Sequence, residues 1–222
     1  MLAILEVLKM IPMMIDDLYD KMPWDKIDTV VFDVGQVLLR FNPAELMQRI
    51  VPERPDLHAQ LRSWVFLSPY WVMMDRGGVT QEEIISAMCS SAPQELAPNI
   101  RRIMTNWNEL EEIGEGLRAL HACKAHGKRL CVLSNYSKEP FDHAYETHDF
   151  FQLFDKLFIS SHHQLVKPDP AIYRKAEAYL ELDPARTLFI DDAPANIEAA
   201  LHCGWQGLCY NREGKLDAFF AE

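Results

Sequence analysis

Short apolar segments alternate with longer amphipathic segments along much of this sequence. Five apolar runs bounded by polar or turn residues predict buried parallel strands, at 29–33, 129–134, 156–160, 187–191 and 206–210. Between them, apolar residues recur at helical spacing, at 111–126, 137–149, 170–180 and 194–203. This alternation predicts an α/β fold with a doubly wound, Rossmann-like parallel sheet, whose ligands bind beyond the carboxyl ends of the strands.

Residues 42–111 interrupt the alternation and are typical of helices throughout. Asn42 precedes Pro43 as a helix start does, and Thr80 with Glu83 forms a capping-box pattern. Because this insertion follows the first strand directly, it leaves the sheet at the ligand-binding edge, where it can close over a site. We therefore predict a core domain of residues 29–41 and 112–222 and an α-helical cap domain of residues 42–111.

The composition favours a globular protein that acts on small molecules. The net charge of -11 repels nucleic acid and anionic membrane surfaces, so neither is expected as a partner. Five scattered cysteines argue against a disulfide framework or a zinc site and favour the cytoplasm. Residues 1–28 predict an N-terminal helical extension rather than a signal peptide, because Glu6 and Lys9 interrupt the apolar stretch. The sequence leaves a monomer and a homodimer equally open.

Polar side chains follow three of the predicted strands and could form one site. Asp33, Ser134 with Asn135, and Asp191 with Asp192 stand at strand ends, and Lys167 lies in a loop. Taken singly, each is an ordinary turn or cap residue. Three carboxylates at one sheet edge would repel one another unless a divalent cation and a lysine offset their charge. Because Mg²⁺ prefers carboxylate, water and substrate oxygens, the group predicts a site for magnesium and a phosphorylated small molecule.

Four segments in order resemble the motifs of the haloacid dehalogenase-like (HAD) superfamily. They are DVGQVL at 33–38, LSN at 133–135, KPDPAIY at 167–173 and DDAPANIEAA at 191–200. The resemblance spans residues 29 to 210, and the helical insertion is similar to the cap of the first HAD subclass. The resemblance implies a hydrolase, specifically a phosphatase.

The resemblance also implies a role for each site residue. Asp33 would be the nucleophile that forms an aspartyl-phosphate, and Asp33, the Gly35 backbone carbonyl, Asp191 and Asp192 would bind Mg²⁺. Ser134 and Asn135 would bind phosphoryl oxygens, Lys167 would supply a fixed positive charge, and Asn196 would support the acidic loop. Within the cap, DRGGVTQEE resembles the loop that such caps point into the site. Asp75 and Arg76 are therefore candidates for substrate binding, although a solvated turn explains them equally well.

Two positions depart from the superfamily pattern. Gly35 stands where most of these phosphatases carry a second aspartate, the general acid, and Gln164 stands where a glycine is usual. The D-x-G-x-V pattern resembles capped sugar phosphatases, including enzymes acting on glucose 1-phosphate, so a sugar phosphate is the expected substrate. The alternatives are a catalytically silent binding protein and a metal-independent dehalogenase. His162 and His163 are interpreted as surface residues of a loop, without a metal.

Overall fold

A computed structural model describes residues 24–210 and residue 216. Its strands are β1 (Thr29–Phe32), β2 (Leu39–Arg40), β3 (Glu111–Glu112), β4 (Arg129–Ser134), β5 (Lys156–Ile159), β6 (Thr187–Asp191) and β7 (Gln206–Cys209). Its α-helices are α1 (Pro43–Ile50), α2 (His58–Trp64), α3 (Pro69–Arg76), α4 (Gln81–Ser91), α5 (Ala97–Asn106), α6 (Gly114–Ala125), α7 (Lys138–Thr147), α8 (Ser160–His163), α9 (Pro170–Leu180) and α10 (Pro194–His202).

Five parallel strands form the central sheet in the order β5-β4-β1-β6-β7. Successive side chains of β1 point to opposite faces, so Val30 and Phe32 join one apolar cluster and Val31 joins the other. Helices α9 and α10 pack on the face of Val31, and α6 packs on the other face. This arrangement confirms the predicted α/β class and the doubly wound sheet.

The helical insertion is confirmed as helical, with α1 to α5 lying between β2 and β3. Asn42 caps α1 by accepting a hydrogen bond from the Ala44 backbone N at 3.0 Å, and Thr80 and Glu83 form the predicted capping box of α4. Helix α5 packs against α1, α2 and α4. The division into a core and a cap domain at residues 42 and 111 stays a prediction.

The connections between the sheet and the insertion correct one boundary. Residues 111–126 were expected to be helical throughout, but Glu111–Glu112 forms β3, which pairs antiparallel with β2, and α6 begins only at Gly114. The two chain segments that lead into and out of the insertion therefore lie side by side. Gly116 allows α6 to approach the first of these segments, because a Cβ there would lie 1.9 Å from the Val37 carbonyl oxygen.

The segment around the paired histidines also differs from the expected loop. Residues 160–163 form α8, in which His163 stacks on Phe158 with ring centroids 3.8 Å apart. Gln164 follows at φ 56°, in the left-handed region that glycine adopts most easily. The chain thus keeps at Gln164 the backbone conformation that the usual glycine would favour.

Two expectations concern the N-terminal extension and the membrane. Most of the predicted N-terminal extension, residues 1–23, lies outside the described residues. Trp24–Lys26, at the end of that extension, forms one turn of 3₁₀-helix. Across the described part of the chain, no helix is both long and apolar enough to cross a bilayer.

Candidate active site

Asp33 leaves the central strand of the sheet at its carboxyl end. Its backbone N donates a hydrogen bond to the Ile190 carbonyl at 2.9 Å, which continues the pairing of β1 with β6. Because β4 and β6 run parallel to β1 on either side, their last residues, Ser134 and Asp191, lie beside Asp33. The sheet thereby brings three of the predicted residues to one edge.

Lys167 joins two of the carboxylates below the protein surface. Its Nζ lies 2.9 Å from Asp33 Oδ1 and 2.6 Å from Asp191 Oδ2, and its side chain is 1% exposed. Burial opposes the charge on Lys167, but Asp191 and Asp33 outweigh it, so the pKa of the ammonium is raised. Lys167 therefore remains a cation in a position that solvent does not reach.

Some surroundings of Asp33 favour its protonated form and others favour its charged form. Burial raises the pKa of Asp33 to about 6, opposed by the charge of Lys167 and reinforced by that of Asp191. The Ser134 hydroxyl donates a hydrogen bond to the Asp33 carboxylate, which favours its charged form. Ser134 is 2% exposed, so this hydroxyl is held within the site rather than in solvent.

Two side-chain amides hold the loops of the site in place. Asn196 donates from Nδ2 to both carboxylate oxygens of Asp191 at 3.0 Å, and the Ala193 backbone N donates to Asp191 Oδ1 at 2.8 Å. Asn135 accepts a hydrogen bond from the Lys167 backbone N at 2.8 Å and donates to its carbonyl at 3.1 Å. Asn196 thus supports the acidic loop, as expected, and Asn135 fixes the loop that carries Lys167.

Three carboxylates of this edge could share a metal ion. Oxygens of Asp33, Asp191 and Asp192 lie within 4.8 Å of one another. A single ammonium group, that of Lys167, cannot neutralise three carboxylates, and an all-oxygen donor set suits a hard divalent cation such as Mg²⁺. The residues present therefore fit magnesium. Gly35 lines the adjoining pocket, next to this group.

A pocket lies beside the carboxylate group, with about 400 Å³ of empty space when the solvent at its mouth is included. Gly35, Ser134 and Asn135 line its side toward the sheet. The rest is mainly apolar and is lined by Leu39, Phe41, Trp71, Trp107, Leu110 and Tyr136.

The aromatic rings of this pocket contact one another. Ring centroids lie 5.5 Å apart for Phe41 and Trp71, 4.9 Å for Trp71 and Trp107, and 6.1 Å for Trp107 and Tyr136. We call the surface made by Phe41, Trp71, Trp107 and Tyr136 the aromatic wall. Such a wall contacts apolar groups over a large area.

Asp75 and Arg76, the two candidates from the cap, are placed differently. Asp75 is buried and lines the pocket, where it is the one carboxyl group among the described lining residues, and none of those carries a cation. Burial, reinforced by the negative charge of Asp33, raises the pKa of Asp75 to about 7. Arg76 is exposed and does not line the pocket, so its part in substrate binding stays a prediction.

Sequence reasoning missed the aromatic wall. Its residues come from four separate segments, and no motif of the catalytic edge includes Phe41, Trp71 or Trp107. One signal was available: three of the five tryptophans, at 64, 71 and 107, lie in the helical insertion. A cluster of large rings in a segment expected to cover a site indicates contact with a ligand as well as packing.

A family model described as haloacid dehalogenase-like hydrolase matches residues 27–204. The chain belongs to this HAD-like family of hydrolases. One relative is a sesquiterpene phosphatase from Aspergillus oryzae, 26% identical over 183 residues, a match that covers 80% of this chain and 87% of that protein. The HAD motifs of the sequence and the residues at the sheet edge thus agree with the family match.

Solved HAD structures share the fold. A HAD-family enzyme from Bacteroides thetaiotaomicron superposes with a TM-score of 0.68 at 19% identity, covering 88% of this chain and 99% of that one. That enzyme has also been solved in complex with magnesium and inorganic phosphate. An L-2-haloacid dehalogenase from Xanthobacter autotrophicus, solved with chloropropionic acid covalently bound, has a TM-score of 0.62 at 18% identity and covers 82% of this chain and 76% of that one.

Proposed function

We propose that this HAD hydrolase is a magnesium-dependent phosphatase with Asp33 as its nucleophile. One observation carries the proposal: buried Lys167 bridges Asp33 and Asp191, and Asp192 adds a third carboxylate within 4.8 Å. A site with this excess of negative charge would repel a phosphate unless it also held a cation. A chemistry that needs no metal gives no reason for the third carboxylate.

Asp33, the Gly35 carbonyl, Asp191 and Asp192 would hold the ion. When bound, Mg²⁺ offsets charge on the phosphoryl oxygens and so favours attack by an anionic nucleophile. Lys167 adds a fixed positive charge on the same side, and Asn196 keeps Asp191 in one orientation. Binding of the ion thus gives each carboxylate of the acidic cluster a role.

Asp33 would attack phosphorus and form an aspartyl-phosphate, which water then hydrolyses. The Ser134 hydroxyl, now bonded to Asp33, lies close enough to donate to a phosphoryl oxygen once the substrate is bound. The Asn135 backbone would donate beside it. Because both residues follow buried β4, their donors are preorganised by the sheet.

The lining of the pocket indicates which organic group the substrate carries. A sugar phosphate remains the candidate suggested by the sequence resemblance, but a sugar offers many hydroxyl groups, and the aromatic wall offers them few partners. An apolar group of isoprenoid size would instead bury its surface against Phe41, Trp71 and Trp107. The sesquiterpene phosphatase relative supports the same choice. We therefore favour a phosphate ester of an apolar alcohol.

Phosphate release tests this function. The purified protein would be assayed with p-nitrophenyl phosphate, glucose 1-phosphate and a 15-carbon isoprenoid monophosphate, with Mg²⁺ and with a chelator. We expect release only with Mg²⁺, its loss in Asp33→Asn, and the highest kcat/KM on the isoprenoid. The control is Asp142→Asn, which changes an exposed carboxylate on α7 that pairs with Lys138. Equal activity of Asp33→Asn and the parent would exclude Asp33 as the nucleophile.

A dehalogenase is the second candidate, favoured by Gly35 and by the apolar pocket. In that reaction Asp33 would attack carbon, so neither a second aspartate nor a metal would be needed. Chloride release from 2-chloropropionate in the presence of a chelator would support it, and absence of that release together with Mg²⁺-dependent phosphate release would exclude it.

A further inference from the structure

The carboxyl group of Asp75 faces the reaction site from the insertion. Asp75 lies in the last turn of α3, is 9% exposed, and lines the same pocket as Gly35, Ser134 and Asn135. Its side chain accepts a hydrogen bond from Trp71, one turn earlier in the same helix. The pocket beside the nucleophile is therefore also lined by a second carboxyl group.

The backbone of Asp75 is fastened to the sheet edge. Ser160 Oγ, at the start of α8, donates to the Asp75 carbonyl at 2.5 Å and accepts a hydrogen bond from the Tyr136 backbone N at 2.9 Å. One hydroxyl thus joins the end of α3 to the segment that follows β4. Because Ser160 is 0% exposed, solvent does not compete for these bonds.

Gly77 allows the end of α3 to approach α8 closely. Its φ of +81° is strained for other residues, and a Cβ there would lie 2.3 Å from the Ser161 carbonyl oxygen. The insertion and α8 are therefore in backbone contact two residues after Asp75. This contact sets the position of the Asp75 carboxyl relative to the sheet edge.

We propose that Asp75 is the general acid that protonates the leaving oxygen of the substrate, in place of the aspartate missing at Gly35. The assignment rests on the proposed phosphatase function. Asp75 is the one carboxyl group among the described residues that line the pocket, and it belongs to the insertion, whereas Asp33 belongs to the sheet edge.

The surroundings of Asp75 suit a proton donor. The titratable groups that act on it are Asp33, whose negative charge favours the protonated form, and Lys167, which opposes it, while Trp71 donates to the carboxylate. Burial and then the negative charge of Asp75 raise the pKa of the Tyr136 hydroxyl, which also lines the pocket. With a pKa raised to about 7, chiefly by burial, Asp75 carries its proton in a large share of molecules near neutral pH.

Asp75 gives up a proton in the first step and regains one in the second. As an Asp33 oxygen bonds to phosphorus, the bond from phosphorus to the leaving oxygen breaks, and that oxygen keeps the electron pair and takes the proton of Asp75. The products are the free alcohol, the aspartyl-phosphate and an Asp75 carboxylate. When water attacks phosphorus, this carboxylate takes a proton from the water, the bond to Asp33 breaks, and inorganic phosphate leaves.

The dependence on the leaving group tests the assignment. An alkoxide needs protonation as it leaves, whereas p-nitrophenolate leaves as an anion. The full chain with Mg²⁺ would be assayed on octyl phosphate and p-nitrophenyl phosphate as the parent, Asp75→Asn and the control Asp142→Asn. For Asp75→Asn we expect kcat/KM on octyl phosphate to fall by about 10²–10⁴ and kcat/KM on p-nitrophenyl phosphate by less than about tenfold. The comparison uses kcat/KM because it reports on the step in which the alcohol leaves, whereas hydrolysis of the aspartyl-phosphate is common to both substrates.

Other outcomes would overturn the assignment. Equal losses of kcat/KM on both substrates would show that Asp75 only supports the structure, and no loss of kcat/KM on octyl phosphate would show that another group supplies the proton. If Asp75→Asn failed to fold, as judged by circular dichroism, Asp75→Ser would serve for the same comparison. Inactivity of the parent on both substrates would instead contradict the phosphatase function itself.

Discussion

Lys167 Nζ lies 2.6 Å from Asp191 Oδ2, and both side chains are withdrawn from solvent. Removing one partner of a buried ion pair leaves an uncompensated charge and costs about 3–5 kcal/mol of folding free energy. Here the removal of Lys167 would leave three carboxylates without a cation. The pair is thus a structural requirement of the metal-free protein as well as part of the site.

We therefore predict that Lys167→Met lowers the free energy of unfolding by about 3–5 kcal/mol without metal. Saturating Mg²⁺ should restore part of this loss, because the ion offsets the charge of the same carboxylates. Urea unfolding with Mg²⁺ and with a chelator would measure both effects.

Lys156→Met is the matched control. Lys156 Nζ lies 3.0 Å from Glu181 Oε1, a similar distance, but the Glu181 side chain is exposed to solvent. Such a pair contributes about 0–1 kcal/mol. Similar losses in the two variants would contradict the special role of Lys167.

Removal of the acidic ligands should abolish stabilisation by magnesium. A ligand that binds only the folded state raises the melting temperature, so Mg²⁺ should stabilise the parent. In Asp191→Asn this increase should disappear, and in Asp192→Asn it should be reduced. Differential scanning calorimetry across a magnesium titration would measure it, with Asp142→Asn as the unaffected comparison. An unchanged magnesium response in Asp191→Asn would place the ion elsewhere.

The buried carboxyl of Asp75 should make stability depend on pH. Because the pKa of Asp75 is raised from 3.8 to about 7, the folded state holds more protons than the unfolded state between these values. Stability from this group is full below the unfolded pKa and is lost as pH rises toward 7. With about 1.4 kcal/mol for each pH unit, the loss is at most about 4 kcal/mol.

Asp75→Asn removes this titration. In the absence of Mg²⁺, the variant should gain stability relative to the parent as pH rises from 4 to 8, and the two should be closest near pH 4. Urea unfolding at several pH values would show the trend. A difference that stays constant with pH would mean that Asp75 has its ordinary pKa in the folded protein.

The aromatic wall should control selectivity for apolar substrates. Phe41→Leu removes about 50 Å² of ring surface, worth about 1 kcal/mol, so kcat/KM on a 15-carbon isoprenoid phosphate should fall about fivefold. Glycerol phosphate, whose polar three-carbon group offers little apolar surface to bury, should be hydrolysed equally by both proteins. Tyr179→Leu changes a half-exposed ring on α9 and is the control. Equal effects on both substrates would indicate a general packing defect.

Much of the catalytic edge could be predicted because parallel strands place their ends together. Asp33, Ser134 and Asp191 follow buried apolar runs, so their proximity follows from the alternation of strands and helices. The short strands β2 and β3 were missed because two residues show no periodicity. The helical turn of Ser160 was missed for the same reason.

The other side of the pocket was harder to predict. Phe41, Trp71 and Trp107 come into contact only when the helices of the insertion pack together. A local sequence pattern does not predict which helix packs against which. Asp75 was identified as a candidate from its motif, but its burial, which raises its pKa, follows from the packing of the insertion on the sheet edge, where Gly77 closely approaches Ser161.

The attachment of Asp75 uses its peptide carbonyl, whereas the proposed proton transfer uses its carboxyl. The bond from Ser160 therefore remains intact whichever charge the side chain carries. The residue can gain and lose a proton in each turnover without loosening the contact that positions it. Anchoring and chemistry are carried by different atoms of one residue, so each could be altered by mutation while the other is retained.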